Sequence, residues 1–168
     1  MAIHQIQKGL DLPITGEPNQ SVGSCTNVGE IAVTAADYPF MKPRMLVQEG
    51  EQVLRGQKIF EDRKTPGVFF TAPGAGTIKA VHRGERRALI SVVIELDSRD
   101  TGDDAPDDLH FPIAGFTEKP VEDWAADELR AVLVESGMWT ALRQRPFSKV
   151  PEPESVASAI FVTAMDSN

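Results

Sequence analysis

Six aspartates, Asp97, Asp100, Asp103, Asp104, Asp107 and Asp108, crowd the stretch "DSRDTGDDAPDDLHF" and would suit a cation if their order were right. It is not. They lack the Asp-x-Asp-x-Asp-Gly order by which a loop wraps calcium, and a solvated acidic connection explains them. His4, His82 and His110 lie far apart without ligand spacing, so they build neither a zinc site nor a triad. Cys25 is alone, which excludes an internal disulfide, a CxxC pair and a cysteine-ligated iron–sulfur cluster. The "GAG" of "APGAGTIKA" is followed by neither Gly-Lys-Ser/Thr nor a helix, so it reads as a turn and not as a phosphate loop. Arg83, Arg86 and Arg87 in "HRGERRAL" make a basic hairpin turn that reads as a charged strand edge. No catalytic set and no metal set emerges from these residues.

The elements that carry them follow from period and punctuation. "EIAVTA", "VLRGQKIFED", "VFFTAP", "GTIKAV" and "ALISVVIEL" are short β-branched or alternating runs bounded by Gly, Pro or charge. Their close spacing predicts a small sandwich or barrel over 29–96, with Val47, Val53, Ile59, Phe60, Val68, Ile78 and Val93 supplying much of its core. After the acidic stretch the period changes. Leu129, Val132 and Leu133 recur at helical spacing, Gly137 is a natural stop, and a helix is expected over 123–136. "MWTALRQRPF" adds a helical turn ended by Pro146, and "VPEPES" is a stiff proline linker. "SAIFVTAMDSN" resembles the opening strand of a parallel α/β sheet whose neighbours do not follow, which predicts an extended segment with few intrachain contacts, or one used in an interchain contact. The expectation is an N-terminal piece of a longer protein.

Bulk properties narrow the class. The apolar content of 41% over 168 residues supports a real core, and a net charge of −8 disfavours a nucleic-acid partner. The N-terminus has no continuous apolar signal region, and no apolar run approaches the ~20 residues of a bilayer span.

The elements "V-x-x-G-x-x-V-x-x-G-Q" and "A-P-x-x-G-x-I-x-x-V" within 47–81 resemble the biotinyl/lipoyl hammerhead, a barrel-sandwich hybrid. Gly50 and Gly56 suit turns with positive φ, and Ala72-Pro73 ends a strand before the Gly74/Gly76 turn. In carriers of that type a lysine at a tight hairpin tip takes lipoate or biotin. Lys64 is the candidate for that role, but "EDRKTPGVFF" lacks the Asp-Lys-Ala or Met-Lys-Met tip, and an unmodified basic loop stands beside the carrier reading.

A longer resemblance runs through "KGLDLPITGEP", "GQKIFEDRKTPGVFFTAPGAGTI", "RGERRALISVVIEL", "ESGMWTALRQRPFSKVP" and "AIFVTAMDSN". In that order they are similar to the A subunit of the bacterial sodium-translocating NADH:quinone reductase. The resemblance implies a mainly β fold with some α: a hammerhead-like barrel-sandwich over 1–97, an acidic linker over 98–120, a helical segment over 121–150, and at 151–168 the first strand of a truncated Rossmann-like α/β domain. It further implies a peripheral, cytoplasmic subunit held at the inner membrane by the other subunits of a respiratory sodium pump. Ubiquinone would be the substrate of the complex, with the flavins and the iron–sulfur centre on other subunits and no cofactor on this chain. Trp139, Arg143, Arg145 and Phe147 could then face a partner or a quinone ring, although aromatics of this kind more commonly pack a helix on a barrel.

Overall fold

A computed structural model of the chain describes residues 15–16, 19–23, 28–101 and 104–162. His4, Cys25 and Asp103 lie outside the described residues, as does the 163–168 end of the apolar final segment. The described residues from 28 to 155 form one compact unit.

Among its described residues seven strands make two antiparallel sheets. One has the order β1-β7-β6-β3, built from Glu30–Thr34, Leu89–Leu96, Gly76–Arg83 and Gln52–Val53. The other has the order β2-β4-β5, built from Pro43–Met45, Lys58–Asp62 and Phe69–Thr71. The chain leaves β2 along one sheet and enters the other, with Leu46 N–H donating to Ile59 O (3.0 Å) and Gly50 N–H donating to Ile78 O (2.8 Å). Gly50 and Gly56 take φ of 88° and 86°, as those turns require. Short strands with tight turns are what the alternating runs predict, and no helix interrupts 68–81. β2 has no β-branched run and begins at a proline, so its sequence does not announce a strand; an edge position tolerates the missing N–H.

The core sits between the sheets. Ile59, Phe60, Val68, Ile78, Val92 and Ile94 are fully buried, with Val47 and Val53 beside them. Phe60 stacks on Phe70 at 4.5 Å, and Tyr38 meets Phe70 edge-on at 4.6 Å. Burying each such side chain stabilises the fold by about 1.5–3 kcal/mol. Val93 is the exception among the expected core residues. It pairs in β7 between Val92 and Ile94, and the pleat turns it to the opposite, half-buried face.

Gly76 is a strand residue more than a turn residue. A Cβ there would fall 2.0 Å from Glu95 O, so only glycine lets β6 close against β7 at this point.

The helix α1, Ala126–Glu135, falls where the period predicts, preceded by a 3₁₀ turn at Val121–Asp123. Glu128 reaches back to Ala125 N–H (3.3 Å), and Lys119 beside it holds its carboxyl below the usual range. Gly137 ends the helix with φ 78°. The helix is fastened to the sheet edge by Lys58 Nζ to Glu135 Oε2 (2.7 Å) and by Thr71 Oγ1 donating to Ser136 O (3.2 Å).

The acidic stretch is tied down instead of solvated throughout. Arg55 N–H donates to Leu109 O (2.9 Å), Phe111 N–H donates to Arg55 O (2.8 Å), and Leu109 is buried. At the other end of the chain, Ile160, Phe161 and Val162 are largely exposed, and the described residues 156–162 form no strand. An apolar run forms a sheet strand only where a neighbouring strand takes its N–H and C=O groups, and none does so here among the described residues.

Candidate functional site

The turn after β4 places Lys64. Its N–H donates to Asp62 Oδ1 (3.0 Å), as does that of Lys42 (2.9 Å), and Arg63 N–H donates to Lys42 O (2.8 Å). Glu61 takes Gly67 N–H (3.1 Å) and pairs with Arg44. Two buried carboxylates therefore fold this turn back onto the β2 side, and the Lys64 side chain stands exposed on a tethered loop. A carrier lysine works at a tight projecting tip, and this one is not. In the sequence, Glu61 and Asp62 show themselves only as polar residues ending an otherwise apolar strand.

The "GAG" turn holds an anion of its own making. Ala75 N–H donates to Asp100 Oδ2 at 2.5 Å, and the other oxygen of that carboxylate pairs with Arg55. The Asp100 side chain is 1% exposed. The aspartates of this run thus do different work. Asp100 clamps the turn, while Asp97 and Asp108 hold Arg99 between them. Asp97 is accordingly held below the usual carboxylate range, chiefly by its hydrogen bonds from Arg99. Among the described residues no three His, Cys, Asp or Glu converge as a metal would need.

The four residues singled out in "MWTALRQRPF" part company. Trp139 is 8% exposed; its Nε1 donates to Pro151 O (2.9 Å), and it anchors the chain after α1 into the core. Arg143, Arg145 and Phe147 lie exposed on the loop closed by Gln144 N–H to Lys149 O (2.8 Å). Arg143 sits 4.6 Å above the Tyr38 ring and donates to Asp37 O (3.3 Å). Phe147 meets Phe40 edge-on at 6.2 Å, and the two rings are 70% and 59% exposed. Sequence reading misses Phe40, at φ 67°, because nothing in its neighbours signals that a phenylalanine will face solvent in a left-handed turn. The exposed Phe40–Phe147 pair and the Arg143 guanidinium over Tyr38 thus share the turn that carries Tyr38 and Phe40. An open groove of about 510 Å³ lies between Pro66, Gly67, α1 and Pro153, but Arg130 within it is used internally, on Pro153 O (2.6 Å).

Comparison with known proteins gives this geometry a family. The family described as the NqrA N-terminal barrel-sandwich hybrid domain matches residues 4–97, and the one described as the NqrA second alpha/beta domain matches residues 124–168. The chain belongs to the NqrA family. Its relatives include the A subunit of the Na(+)-translocating NADH-quinone reductase of Serratia proteamaculans (strain 568), 51% identical over 97% of this chain and 35% of that protein. The same subunits of Haemophilus influenzae (strain PittGG) and Pseudomonas aeruginosa (strain UCBPP-PA14) are each 48% identical, over 97% and 96% of this chain and 34% of each relative. The chain therefore spans about a third of the length of these relatives. The fold expected from the hammerhead elements is the fold of this family, and a carrier lysine at Lys64 is not favoured by the match. No helix among the described residues is long and apolar enough to cross a membrane.

Proposed function

We propose that the chain is the N-terminal part of the peripheral, ubiquinone-associated subunit of a sodium-translocating NADH:quinone reductase, and that its work is docking and not catalysis. The observation that carries this reading is the exposed face of Phe40, Phe147 and Arg143 on a barrel of this family. Two large apolar rings held in water lose the ~1.5–3 kcal/mol that burial of each would supply, and a partner surface recovers it. NADH oxidation needs a group that accepts hydride, which this reading places, with the iron–sulfur centre, on the other subunits. The barrel then sits on the cytoplasmic side of the inner membrane, held there by those subunits. Domain boundaries at 97, 120 and 150 belong to the same proposal.

Assembly of the intact complex with the full-length subunit carrying F40A and F147A tests it. The expected result is loss of the subunit from the purified complex, with NADH:ubiquinone turnover falling in proportion. Turnover that falls per assembled complex, with assembly intact, assigns the face to quinone. No change in either removes the face from the function.

A further inference from the structure

The β6–β7 hairpin ends in the loop 84–88, and two successive arginines there adopt left-handed backbone: Arg86 at φ 53°, ψ 27° and Arg87 at φ 62°. Hairpins that need two such residues favour Asn-Gly, because other side chains strain the turn. The loop is nevertheless well formed, with Gly84 N–H to Ala88 O at 2.8 Å and Arg83 Nη1 donating to Arg87 O at 3.1 Å. The side chains of Arg86 and Arg87 are exposed and have no hydrogen bond or ion pair among the described residues. Three other arginines are held by carboxylates, Arg44 by Glu61, Arg55 by Asp100 and Arg99 by Asp97 and Asp108, whereas Arg63 and Arg145 are exposed singly on other turns. Ile90, 54% exposed on the adjoining strand, packs beside Gly84 and adds an apolar shoulder.

We propose that this hairpin tip is an arginine prong that docks into a carboxylate-lined recess on another subunit of the complex; the inference rests on the subunit reading above. Guanidinium groups take carboxylates bidentately and with defined geometry, which a strained but ordered tip is suited to exploit. An anionic bilayer is the poorer occupant. It would meet the tip only as a few point charges, while the rest of a chain with net charge −8 opposes the approach.

The test uses the full-length subunit in its native complex with three variants: R86N/R87G, R86E/R87E, and R63E as an exposed control on another turn. Retention of the subunit on the complex is measured at low and high salt, and thermal midpoints are measured on each isolated subunit. R86N/R87G relieves the backbone, so its midpoint should rise while its association weakens by about tenfold or more and loses salt dependence. R86E/R87E should weaken association further, and R63E should leave it unchanged. Retention of R86N/R87G equal to the parent overturns the prong. So does Arg86- and Arg87-dependent binding to phosphatidylglycerol/phosphatidylcholine vesicles with complex retention unaffected. A parent subunit that does not stay with the complex removes both the docking role and the prong. A parent that stays together with its variants removes the prong alone.

Discussion

Asp100 shows how much a single side chain holds. It takes the Ala75 amide and the Arg55 guanidinium at once, and with 1% of its side chain exposed it has little water to fall back on. Asp100→Ala leaves the partly buried Arg55 without its counter-charge and frees the start of the acidic stretch. The expected loss is about 3 kcal/mol of unfolding free energy, read by urea titration. Asp104→Ala, on an exposed turn, should lie within about 0.5 kcal/mol of the parent. Nothing in the residue order separates these two aspartates, because the difference is made by where β5 and β6 bring the turn. Trp139 is a second case: tryptophan is legible as an anchor, but whether it faces the barrel or a partner depends on the docking of α1.

At the scale of elements, Gly137 joins α1 to the turn that buries Trp139. It has φ 78°, and a Cβ there would approach Thr71 Oγ1 to 2.7 Å. Gly137→Ala should cost about 2 kcal/mol and shift α1 off the sheet edge, which near-ultraviolet circular dichroism of Trp139 would register. The prong makes the opposite prediction, since each left-handed arginine costs about 1 kcal/mol and R86N/R87G should recover part of that. The strands in "EIAVTA", "VFFTAP", "GTIKAV" and "ALISVVIEL", the helix and its glycine stop are legible because period and punctuation agree there. "VLRGQKIFED", by contrast, reads as one alternating run and is split by the turn at Gly56 into the end of β3 and all of β4, in different sheets. β2 is not, being three residues of edge strand from a proline. Val93 reads as core because an apolar run hides which face is inward until the register with β6 is known. Of the candidate site, Arg143 and Phe147 are legible, but Phe40 and Tyr38 come from the turn after β1 and meet them only in the folded state.

Across the whole molecule, the proposal treats the barrel-sandwich, its exposed aromatic pair and its arginine hairpin tip as a body held by other subunits. The chain alone should show no NADH oxidation at any pH, since none of its side chains accepts hydride; turnover without added flavoprotein would contradict this. The most direct test compares reductase complexes built with the full-length subunit against those built with a shortened form lacking residues 1–168. The measurement is the amount of this subunit retained per complex after affinity purification through a membrane component. A docking role predicts stoichiometric retention for the full-length subunit and loss for the shortened one. Equal retention of both would contradict it.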